Sequence, residues 1–212
     1  MTRFFLLAGA VLLSSCGPKT LALPEDPVDR AATCGVVAAA EARAATVDFK
    51  SDLPFDATVR ILHYPLLAGS TGERFSSEAA ASVQRRMTDL QDGIIDGKWQ
   101  PLVAECKAAF PATAVETVKL SADRFKAQLG CYELGDFIRS ALDEKGDYDK
   151  DLQAYRDLNQ RLDTSLGVAM PERAGSTAAA QKEERTKALA AMAKLGPPAA
   201  VMRECVAKFG GK

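Results

Sequence analysis

Two short stretches decide how this chain is read: "ECKAAFP" at residues 105–111 and "ECVAKFG" at residues 204–210. They lie 99 positions apart, and at the same offset "SEAAA" from Ser77 meets "STAAA" from Ser176, Arg86 meets Arg185 and Leu90 meets Leu189. Alanine matches weigh little in an alanine-rich chain, whereas the glutamate, cysteine and phenylalanine matches weigh more. Each stretch is preceded by an earlier cysteine at nearly the same distance, Cys34 by 72 positions and Cys131 by 74. The pattern points to two copies of one helical module, residues 29–111 and 112–212. Each runs from a first helix bearing one cysteine, through two middle helices, to a short last helix bearing the other.

Hydrophobic spacing supports an all-α fold of two small tandem bundles. Val83, Met87, Leu90 and Ile94 share a helical face, as do Tyr155, Leu158, Leu162 and Leu166. Cys131, Leu134, Ile138 and Leu142 mark a third stripe, on a helix that could begin as early as Thr117 and stop at Gly146. Only "TVRILHY", Thr58 to Tyr64, has the β-branched content of a strand. It is read as a short helix opened by Pro54 and stopped by Pro65.

The N-terminus carries Arg3, an uncharged apolar run from Phe4 to Leu13, and then small residues. This run is too short to span a bilayer, which takes roughly 20 apolar residues, and reads as a secretory signal over residues 1–15. Its end, Leu13-Ser14-Ser15-Cys16, resembles the bacterial lipobox, in which a signal peptidase cuts before the cysteine and lipid is attached to it. The resemblance covers only about the first 16 residues. It implies that Cys16 is the acylated first residue of a lipoprotein, held by several chains where one would be marginal. Gly17, in place of the aspartate that retains such proteins in the inner membrane, implies the outer membrane, facing the periplasm. An ordinary secretory cleavage leaving Cys16 a spare thiol is the alternative. Residues 16–28, with Pro18, Pro24 and Pro27, read as an extended tether that lifts the folded part off the membrane.

With Cys16 set aside, four cysteines remain, an even number suited to disulfides in an oxidising compartment. Val103, Cys106 and Phe110 share one helical face and Met202, Cys205 and Phe209 another, so each late cysteine points inward with the apolar stripe. If each ancestral module held only its own two cysteines, the pairs are Cys34 with Cys106 and Cys131 with Cys205. Closing a loop of that length is worth about 4 kcal/mol by loop-closure entropy, a large share for a small alanine-rich core. No close C-x-x-C pair exists, which argues against structural zinc, a redox dithiol or covalent haem; no metal or cofactor is expected.

Catalytic motifs are lacking. A single histidine, His63, excludes histidine-cluster metal sites, and neither G-x-S-x-G nor a phosphate-cradling glycine loop is present. His63 lies among apolar neighbours and reads as a packed or rim residue. The acidic stretch "DEKGDYDKDL", Asp143 to Leu152, lacks the glycine and closing glutamate of a calcium loop and reads as a solvated helix connection. Trp99, the sole tryptophan, either caps the core at a helix junction or is an exposed partner contact. "QKEERTKALAAMAK" has an apolar face of alanine, too small to insert into a membrane, and reads as a solvated helix. With 27 basic against 28 acidic residues, the chain has no footprint for nucleic acid. The expectation is a non-catalytic lipid-anchored envelope protein acting through contacts with an envelope partner or as a structural element. The alternative is a small-ligand binder with a pocket between helices or modules, and the third reading is a cell-wall enzyme using a carboxylate pair.

Overall fold

The computed structural model describes residues 21–48, 50–142 and 148–211, and among these every regular element is helical. The helices are α1 (Pro27–Ala44), α2 (Phe55–Gly69), α3 (Ser77–Ile95), α4 (Leu102–Ala109), α5 (Arg124–Leu142), α6 (Asp149–Ala174), α7 (Ala178–Ala193) and α8 (Pro198–Phe209), with a 3-10 turn at Pro111–Ala114. The start signals are local. Asp26 caps α1 by accepting from the Val28 and Asp29 amides, both at 2.9 Å, and Pro27 occupies the first turn. Ser76 and Thr177 cap α3 and α7 in the same way, each accepting at 3.2 Å from an amide three residues on. Between α6 and α7 the chain reverses at Gly175, whose φ of 96° suits a residue without a Cβ.

The first helix of each set of four is its hub: α1 packs on α2, α3 and α4, and α5 on α6, α7 and α8. A disulfide ties the short last helix to that hub in each set, Cys34 to Cys106 and Cys131 to Cys205, with Cα atoms 5.4 and 5.6 Å apart. These are the pairs expected from the spacing. A glycine beside each hub cysteine admits a methionine against the helix backbone: Met87 lies over Gly35, and Met192 over Gly130. The two stripes of α3 and α6 differ in depth. Tyr155, Leu158, Leu162 and Leu166 are all buried, whereas Met87 and Leu90 are only half-buried.

Four sequence expectations shift. Pro65 does not stop α2, which continues to Gly69. The proline costs a backbone hydrogen bond, about 3 kcal/mol in an exposed helix, but Pro65 and Leu66 are both buried and their packing carries the helix one more turn. The helix of the third stripe begins at Arg124 rather than Thr117, because the Asp123 side chain accepts from the Lys126 amide at 3.1 Å and opens it there; the expected stop at Gly146 lies outside the described residues. The residues of the expected tether that the structure describes are not free of the fold. Leu21 and Leu23 pack on the core of the first four helices, Arg30 holds the Pro24 and Glu25 carbonyls at 2.8 and 2.9 Å, and α1 starts at Pro27.

Finally, the two sets share α2. Val59 and Leu66, both fully buried, belong to the core of α5–α8, while Tyr64 belongs to that of α1–α4 and meets Phe110 edge-on at 5.4 Å. Phe55 reaches Tyr155 at 5.8 Å, and the Phe75 amide donates to the Thr186 carbonyl at 2.9 Å. α2 thus gives apolar side chains to both cores, while Asp56 and Arg60 keep its remaining face at the solvent.

Candidate functional site

Along α1, Val36, Ala39, Ala40, Arg43 and Ala44 fall at helical spacings of three and four and form one stripe. Along α3, Gln84, Met87, Thr88, Gln91 and Ile95 do the same. The two stripes face each other across a groove of about 480 Å³, completed by Leu53 and Trp99 from the loops. This volume falls within the roughly 300–1,000 Å³ of small-molecule sites. The lining is mostly hydrocarbon, with the uncharged polar side chains of Gln84, Thr88 and Gln91 on the α3 side, where all three are exposed.

The helices run parallel through this region. Ala31 and Ala32 cluster with Val83, and Gly35 lies under Met87, so Arg43 and Ala44 fall at the same end as Ile95 and Trp99. Among the described residues that end carries the only charge of the lining, the Arg43 guanidinium, one of whose N–H groups donates to the Ser51 carbonyl. Among the described residues no carboxylate lines the groove.

Counted from its cysteine, the first hub helix is small where the second is large. Six residues beyond Cys34 stands Ala40; six beyond Cys131 stands Phe137, whose ring packs edge-on against Phe75 at 5.6 Å. Nearby, Tyr132 lies under the Arg185 guanidinium at 5.5 Å, and Arg185 pairs with Glu133. Side chains thus cover the α5–α7 face that α1 and α3 leave open. Burial pushes the Glu133 carboxyl up while Arg185 pulls it down. Glu133 belongs to this cover rather than to a cleft, and no acidic side chain is fully buried among the described residues.

The other sequence-singled residues lie elsewhere. His63 is fully buried on the α7 side of α2, its Nε2–H donating to the Ala193 carbonyl at 2.8 Å. Nδ1 has no partner, and desolvation lowers the pKa to about 4, so the ring is neutral at pH 7. It is a packed residue at the joint between the two sets. Cys34, Cys106, Cys131 and Cys205 are buried in their bridges. Cys16 lies outside the described residues, as does Asp143 to Asp147 of the acidic stretch; its remainder opens α6, with Asp149 bound to Arg156 at 3.1 Å. Among the described residues no three His, Cys, Asp or Glu come together as a metal site, and no helix is long and apolar enough to cross a membrane. Trp99 divides its two readings: half-buried, it packs on the first core and also borders the groove.

Sequence reasoning placed a pocket between helices or modules without naming its residues. The signal was present in "VVAAAEARAA", Val36 to Ala45, where alanines repeat on a face that its counterpart fills with Phe137. No family model, curated protein or solved structure matches the chain, so its function is argued from this geometry alone.

Proposed function

We propose that the protein is a non-catalytic envelope lipoprotein, acylated on Cys16, that holds an apolar small ligand in the groove between α1 and α3. The groove is the observation that carries this reading: an apolar cleft of about 480 Å³, bordered by a tryptophan and lacking any carboxylate. General acid–base hydrolysis by a carboxylate pair needs two such groups across a cleft, so the groove offers nothing to that chemistry. Two buried disulfides fit an oxidising envelope compartment, and Gly17 after the lipobox favours the outer membrane, facing the periplasm. Action through an envelope protein partner has weaker support, because the large apolar side chains left exposed among the described residues, Val47, Ile95 and Val168, are scattered singly.

The test is a titration with anilinonaphthalene sulfonate, whose emission rises in apolar sites. The wild type should bind it saturably at one site. Ala39→Phe, which lays a ring along the groove floor, and Thr88→Phe, which does so from the opposite wall, should each weaken binding about tenfold. Equal binding by wild type and both variants would refute the groove as a site.

A further inference from the structure

We infer that the ligand is an acyl chain of a phospholipid, taken from the leaflet in which Cys16 is anchored, with its phosphate held near Arg43. This rests on the lipoprotein and groove readings above and adds the source and class of the ligand. The argument begins with the length of chain between the anchor and the fold. Leu21 packs against Gly97, where a Cβ would come within 2.8 Å of its Cδ1, and Leu23 and Arg30 fasten the next residues. Only five residue steps separate Cys16 from Leu21. Fully extended they span at most about 18 Å.

Gly97 is two positions from Trp99, so the anchor is fastened beside one particular end of the groove. That end is the one bordered by Arg43, Ile95 and Trp99. A bilayer's headgroup layer occupies several of those 18 Å, since the whole membrane exceeds its hydrocarbon core by about 10–15 Å. The groove end is therefore held close to the lipid surface and cannot reach distant ligands before nearby ones. Its chemistry matches what lies there. Alanine, valine, methionine and isoleucine suit a methylene chain, each buried CH₂ being worth about 0.8 kcal/mol. An indole suits the boundary between chain and headgroup, and a guanidinium, with donors beyond the one given to Ser51, suits a phosphate.

The experiment uses the full lipidated protein in vesicles of phosphatidylethanolamine and phosphatidylglycerol, doped with a phospholipid whose acyl chain carries a photoactivatable diazirine. After irradiation, peptide mapping should place adducts on the Val36–Ala44 and Gln84–Ile95 segments, reduced about tenfold in Ala39→Phe and in Thr88→Phe. Arg43→Gln should reduce them severalfold, and Val168→Ala, at an exposed position of α6, should leave them unchanged. Adducts spread over the surface, or equally strong in the groove variants, would overturn the inference. So would a crosslink from a photoactivatable chain on Cys16 itself into the groove, which would make the anchor the occupant. If the soluble dye binds the groove while vesicle lipid does not label it, this inference falls and the apolar-ligand reading stands. If neither binds, both fall.

Discussion

Side-chain size along the two hub helices differs between the two halves of this protein. Ala40, six residues beyond Cys34, lines the groove, whereas Phe137, six beyond Cys131, packs edge-on against Phe75. Fill matters at the joint too, where His63 is buried with one nitrogen unpartnered. Its pKa falls from 6.5 to about 4 because burial disfavours the charged ring. The unfolded chain therefore binds a proton that the folded chain refuses between these values, and stability falls as pH drops from about 6.5 towards 4. By 1.36 kcal/mol per unit the full loss is about 3 kcal/mol. His63→Gln, whose amide can still donate to Ala193, should flatten that part of the pH profile in urea unfolding. A variant with the wild-type profile would show that His63 is not the responsible group.

Elements were legible in the sequence where a pattern was local. The stripe from Val83 to Ile94 and the inward cysteines of α4 and α8 could be read from spacing, and the repeat around Glu105 and Glu204 supported the pairing. What could not be read depended on distant partners. Pro65 looks like a stop until Leu66 is seen buried against the second core, and the half-exposure of Met87 depends on what faces it. For the groove, the alanine spacing on α1 was visible, but only the third dimension shows which residues of α3 and the loops stand across from it. The same logic gives a prediction for α8. It is short, and the bridge to Cys131 holds it to the hub. Replacing Cys131 and Cys205 together by alanine should cost about 4 kcal/mol, less any cavity relaxation. Amide exchange should speed up first in α8, and uniform exchange across all helices would contradict this local role.

At the scale of the molecule, α2 contributes to the cores of both sets of four helices. Leu66 is fully buried in the core of α5–α8, yet its helix also carries Tyr64 in the core of α1–α4. Leu66→Ala should cost about 2–5 kcal/mol and lower the stability of both sets together, giving one unfolding transition by helical circular dichroism and by Trp99 emission. Two separated transitions would mean that the sets fold independently. Among the described residues α1 and α3 form the groove with Leu53 and Trp99 of the loops, which is how the architecture leads to the proposed function. Because Trp99 is the only tryptophan and borders the groove, it reports directly on occupancy. The most direct test is acrylamide quenching of Trp99 before and after saturation with a single-chain fatty acid: the quenching constant should fall severalfold in the wild type and stay unchanged in Thr88→Phe, whereas identical quenching of the wild type with and without fatty acid would contradict a ligand in the groove.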